Sequence, residues 1–108
     1  MGAHRLAAEV RVYLLLARYT RPIEEVDQML DAHRAWITEH SEAGRILMTA
    51  REVPLIGGMI LARADSDEEI WRMIREDPFY ESGAAQYEVR QFTPVRAAPG
   101  LEALLPDD

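Results

Sequence analysis

The 108-residue chain has no cysteine, which excludes a disulfide framework, a thiolate nucleophile and a zinc ribbon. It is short of basic residues: twelve Lys and Arg against nineteen Asp and Glu give a formal net charge of −7 and a pI near 4.9. Nucleic-acid binding, which neutralises phosphates with a basic face, is thereby disfavoured. Long apolar runs are also missing. The strongest, Val12-Tyr13-Leu14-Leu15-Leu16-Ala17, is bracketed by Arg11 and Arg18 and falls far below the roughly 20 residues of a membrane span. Gly2 does not open a myristoylation signal, because Leu6 stands where Ser or Thr is needed. Six Gly and six Pro leave no low-complexity linker. What is present, 48% hydrophobic and 29% charged residues, describes a single globular domain spanning 1–108, expected to be soluble and cytoplasmic.

Arg11 to Tyr19 reads as a first strand from its β-branched, aromatic and aliphatic content. Pro22, followed by Glu24 and Glu25, opens a helix. There Ile23, Val26, Leu30, His33, Ile37 and His40 recur at three- and four-residue steps, flanked by Met29 and Trp36, until Gly44 closes it. Arg45 to Val53 and Gly58 to Ala64 read as strands two and three around a turn at Pro54 and Gly57. Ser66-Asp67-Glu68-Glu69 is a capping-box signature for a second helix to about Glu76, and Asp77-Pro78 stops it. Gln86 to Val95 forms the fourth strand, and the tail from Arg96 forms at most a short turn at Leu101 to Leu105. The order β-α-β-β-α-β is the ferredoxin-like α+β arrangement, with an antiparallel sheet and both helices on one face.

The strands carry a second message. Val12, Leu14 and Leu16 point one way and Tyr13, Leu15, Ala17 and Tyr19 the other. Leu47 opposes Ile46 and Met48, and Ile60 and Ala62 oppose Met59 and Leu61. Two helices cover one face, so the other apolar face needs a cover. The simplest is the same face of a second copy, a homodimer through the sheets. The competing cover, the thirteen-residue tail folded back, shields only a corner.

Candidate catalytic groups are His, carboxylates, hydroxyls and Arg. His4 lies in the N-terminal segment and is read as inert. His33 and His40 lie on nearly one helix face but about 10 Å apart along its axis, and no ligand spacing such as H-E-x-x-H is present, so no metal is expected. Ser66 is read as a cap, and Ser41 and Ser82 have no visible base partner, which argues against a serine hydrolase. His33 interrupts an apolar stripe, and a buried imidazole needs partners for its nitrogens; a backbone carbonyl or a water would satisfy it. Asp77 caps a new turn with Pro78 at its first position. The alternative to the cap follows from the two helices lying side by side, which can bring Asp77 within hydrogen-bonding reach of His33, fixing its tautomer and leaving one ring nitrogen as a general base or acid. Arg51, near a strand end, is a candidate receiver of a substrate carboxylate or phenolate; Arg18 and Arg63 are weaker ones, and a solvated charge is the ordinary reading of all three. Tyr13 is a candidate cleft residue together with Tyr19, against the competing reading of core packing.

Ala32-His33-Arg34-Ala35-Trp36, Glu42-Ala43-Gly44-Arg45-Ile46-Leu47, Gly57-Gly58 and Glu76-Asp77-Pro78-Phe79 ahead of Tyr87-Glu88-Val89 together resemble the YCII-related (YciI-like) family of the dimeric α+β barrel superfamily, over about Val10 to Val95. The resemblance implies a His–Asp pair on His33 and Asp77, in a cleft beside the sheet, and no cofactor. One stretch departs from it: many relatives have a small-Gly-Pro turn after strand two, where this chain reads Thr49-Ala50-Arg51-Glu52. The implied activity is that of a small cofactor-free lyase or isomerase moving a proton on an aromatic or enolisable metabolite. Two alternatives stay open at this level: a non-catalytic dimeric module binding a metabolite or protein, and a cofactor-free monooxygenase.

Overall fold

A computed structural model describes residues 11–105; Gly2, His4 and the end of the tail lie outside them. Strands β1 (Arg11–Tyr19), β2 (Ile46–Arg51), β3 (Gly57–Ala64) and β4 (Ala85–Phe92) form one sheet in the order β2-β3-β1-β4, with every pairing antiparallel. Helices α1 (Ile23–Asp27), α2 (Leu30–Glu42), α3 (Asp67–Arg75) and α4 (Pro78–Glu81) fill the two crossovers. This is the α+β ferredoxin-like arrangement expected from the element order.

The alternation along β1 places Tyr13, Leu15 and Ala17 on the helix side, beside Ile60 and Ala62 of β3. They pack with Trp36 of α2 and with Ile70, Met73 and Ile74 of α3 into the main core. Burying each of the larger side chains contributes about 1.5–3 kcal/mol. Register is fixed partly by sterics: a Cβ on Gly57 would lie 1.9 Å from the Ala17 carbonyl oxygen, so β3 approaches β1 this closely only with glycine there.

The first helix differs from the sequence expectation of one continuous element. It breaks at Gln28–Met29, where Met29 adopts φ −105° and ψ 7°. Neither Gly nor Pro marks the break; tertiary packing imposes it. With the chain bent, α1 packs Val26 against Phe79, Ala84 and Ala85 in a second small cluster, while α2 runs on over the sheet. The break also redistributes burial. Trp36 and His40 are buried, whereas Leu30, His33 and Ile37 of the expected stripe are only half-buried: Ile37 packs at the edge of the main core and Leu30 at the edge of the second cluster, and all three line a cavity.

Local signals read in the sequence form as written. The Ser66 side chain accepts from the Glu69 N–H, and Glu69 in return accepts from the Asp65 N–H at 2.8 Å. Gly44, at φ +83°, ends α2 in a Schellman motif: Arg45 N–H donates to the His40 carbonyl and Gly44 N–H to that of Ser41.

The face away from the helices is apolar over three strands and polar on the fourth. Leu14, Leu16, Met48, Met59 and Leu61 share it, while β4 contributes Gln86, Glu88 and Arg90 before Phe92. Leu16 is 38% exposed, Met48 47% and Phe92 49%. At one corner the tail returns: Arg63 donates to the Ala103 carbonyl, and Val12, the cross-strand partner of Arg63, is buried.

Candidate functional site

Asp77 ends the stretch after α3 with extended backbone (ψ 122°) and caps α4, its carboxylate accepting from the Phe79 N–H at 3.0 Å, with Pro78 at the first helical position. The same Oδ1 accepts from His33 Nδ1 at 2.7 Å, and Oδ2 accepts from the Tyr87 hydroxyl at 2.5 Å. The cap and the histidine partner, opposed as alternatives in the sequence, are one carboxylate performing both tasks. Asp77 is wholly buried, and the His33 side chain is 14% exposed. Because an ionised carboxylate only accepts, His33 carries its proton on Nδ1, and Nε2 is left with a lone pair.

Packing holds the ring in place. His33 stacks on Phe79 with centroids 3.8 Å apart and planes 7° from parallel, and it lies 5.6 Å from the Trp36 ring. Phe79 is set by a second Schellman turn at Gly83, φ +82°, where the Ala84 N–H donates to the Phe79 carbonyl. Two stacked faces and one hydrogen bond leave the ring little rotational freedom.

His33 lines a cavity of about 500 Å³ between α2 and the sheet, together with Tyr19, Arg34, Arg51, Phe79 and Tyr87. Its volume suits a small molecule. Burial pushes the Tyr87 phenol far above its ordinary range, with the Asp77 charge and hydrogen bond adding to the effect. Tyr87 therefore stays protonated and donates permanently to Asp77. Burial raises the Tyr19 phenol as well, opposed by the nearby positive charge of Arg51.

Of the residues singled out from sequence, His33, Asp77 and Arg51 converge on this region. Tyr13 does not. It is fully buried in the main core and its hydroxyl donates to Asp67 Oδ1 at 2.7 Å, because its place on β1 lies further along the strand, under α3. Tyr19, two steps beyond Ala17 on the same face, takes the cleft position instead. Tyr87 and Arg34 were missed. The signal for Tyr87 was its cross-strand pairing with Ala17, which alternation alone does not supply.

His40, two turns along α2, has a different environment. Arg45 Nε donates to its Nδ1 at 2.8 Å, and its Nε2–H donates to Glu76 Oε1 at 3.1 Å. Glu39, His40 and Glu76 form the one group among the described residues whose ligand atoms lie close enough to share an ion. While Arg45 donates to Nδ1, however, the proton sits on Nε2 and that nitrogen has no lone pair for a metal.

The family model for the YCII-related domain matches residues 12–93. Among solved structures, the chain is similar to 5-chloro-2-hydroxyhydroquinone dehydrochlorinase from Burkholderia phenoliruptrix in complex with 2,5-dihydroxybenzoquinone. The TM-score is 0.66 at 18% identity, covering 78% of this chain and 95% of that one; at that identity the likeness is one of fold. No curated protein matches the chain in sequence. Among the described residues no helix is long and apolar enough to cross a membrane.

Proposed function

The chain belongs to the YCII-related family, and from that premise and the arrangement at His33 we propose a cofactor-free enzyme of lyase or isomerase type that moves a proton on a small aromatic or enolisable molecule. The observation that carries this reading is the 2.7 Å bond between His33 Nδ1 and the buried Asp77, with the ring at the wall of the cavity. Nε2 takes the proton of an acidic C–H or phenolic O–H. The electron pair so released either shifts to another atom of the substrate, which takes the proton back from Nε2 to give an isomer, or expels a leaving group such as chloride, after which Nε2 returns the proton to solvent and the net loss is HCl. Asp77 holds the tautomer and balances the imidazolium that forms. The fold shared with a dehydrochlorinase of a chlorinated hydroxyhydroquinone supports this class of reaction.

The test is hydrogen–deuterium exchange at the ring carbons of small polyhydroxylated phenols in D2O, followed by NMR, with chloride release from 5-chloro-2-hydroxyhydroquinone measured in parallel. The wild type is expected to accelerate one or both. His33→Ala and Asp77→Asn lower that rate about 10²–10⁴-fold, the usual worth of a positioned acid–base group. Variants that keep the wild-type rate contradict the assignment.

The enzyme works, in this reading, as a homodimer through its sheets. The support is the apolar face of β1, β2 and β3, of which the tail covers only a corner. Sedimentation equilibrium is expected to give twice the monomer mass; a folded monomer at micromolar concentration contradicts it.

A further inference from the structure

The cavity is cationic in an acidic protein. All twelve basic residues of the chain are arginines, and two of them, Arg34 and Arg51, line this cavity, whereas no Asp or Glu does. Other arginines are engaged: Arg18 with Glu52, Arg45 with His40, Arg90 with Glu88. Among the described residues the side chains of Arg34 and Arg51, like those of Arg72, Arg75 and Arg96, have no hydrogen bond or ion pair. In a chain that is acidic overall, two guanidinium groups on one cavity lined by no carboxylate amount to a local reversal of sign, which draws an anion to this site.

The sheet register sets the scale of that anion. On the helix side one transverse row reads Arg51 on β2, Gly58 on β3, Ala17 on β1 and Tyr87 on β4. Three interstrand spacings separate its ends, about 14 Å between Cα atoms. The long side chains stand at the two ends, and the two middle positions are Gly and Ala, so the floor between them is open. Tyr87 leads through Asp77 to His33. Arg51 marks the opposite end, and its charge reaches the Tyr19 phenol.

We propose that the cavity selects a single-ring molecule bearing a carboxylate, the ring lying over Gly58 and Ala17, the carboxylate received by Arg51 with Arg34 adding positive charge, and the reacting edge at His33. The position of the reacting edge rests on the proton-transfer reading above; the carboxylate preference does not. Guanidinium is matched to this group, since its planar fork binds both carboxylate oxygens at once.

The test is calorimetric titration of the full chain with benzoate and with benzamide, its uncharged counterpart of the same shape. The wild type is expected to bind benzoate at least about tenfold more tightly than benzamide. Arg51→Gln abolishes the difference between the two probes, and its cooperative urea unfolding shows that the variant is folded. Arg51→Lys keeps part of the preference, and His33→Gln keeps all of it. Equal binding of the two probes, no benzoate binding at millimolar concentration, or an undiminished preference in Arg51→Gln overturns the proposal. Failure of the proton-transfer reading looks different: catalysis survives in His33→Ala while the benzoate preference stays intact.

Discussion

Two histidines on α2 have similar neighbours and opposite fates. His33 and His40 each lie beside Trp36 and each bond a carboxylate. At His40 both ring nitrogens are used, one by Arg45 and one by Glu76, and the side chain is 5% exposed. At His33, among the described residues, only Nδ1 is used, by a carboxylate that also accepts from the Phe79 N–H and the Tyr87 hydroxyl, and the ring lines a cavity. A carboxylate partner therefore does not distinguish the two histidines; a spare nitrogen on a ring that lines a cavity does.

The largest effect is expected from removing what anchors His33. Asp77→Ala deletes the α4 cap and strands the Tyr87 hydroxyl and His33 Nδ1 in a buried site. We expect about 3–5 kcal/mol of lost stability in urea unfolding, together with lost catalysis. Next comes His40→Ala, which leaves a void and an unpaired Arg45 donor. Unfolding is expected to weaken by about 2–4 kcal/mol while the rate per folded molecule holds. A large loss of rate there would erase the distinction between the two histidines.

Tyr87→Phe is a subtler probe, costing about 1–3 kcal/mol by leaving Asp77 Oδ2 short of a donor. It also carries a pH signature. The folded phenol ionises far above the unfolded value of 10.0, so above pH 10 the unfolded chain releases a proton that the folded chain keeps. Stability contributed by the neutral phenol is thus full below pH 10 and falls as pH rises, by about 1.4 kcal/mol per unit. Tyr87→Phe should flatten the alkaline stability curve by that slope; identical slopes in the two proteins would count against the buried, Asp77-bound phenol. The smallest effect is expected at Ser66→Ala, about 1 kcal/mol from the lost α3 cap, with no change at the site.

Much of this was legible along the chain because it is written locally. The Ser66 and Asp77 caps, the Gly44 terminus and the alternation of β1 all depend on residues within a few positions of one another. The break at Gln28–Met29 was not legible, since it arises from Val26 meeting Phe79 and Ala84, more than fifty residues away. The meeting of His33 with Asp77 was readable as a possibility from side-by-side helices, and as a family feature from the motifs around both residues. Tyr87, the third member, needs the β1–β4 register. Tyr13 went to the core for the same reason: alternation gives its face but not its position along the strand relative to α3. Arg34 is next to His33 in sequence, yet its place in the cavity depends on the rotation of α2, which the bend after α1 sets.

Asp77, as the acceptor at 2.7 Å, fixes the proton of His33 on Nδ1 and leaves Nε2 bare. Long-range 15N–1H NMR correlation of the imidazole nitrogens, recorded at a pH where both rings are neutral, reads this directly. The two histidines are expected to be opposite tautomers on one helix: His33 protonated at Nδ1 with an unprotonated Nε2, and His40 the reverse. A His33 signal with the proton on Nε2 would contradict the account.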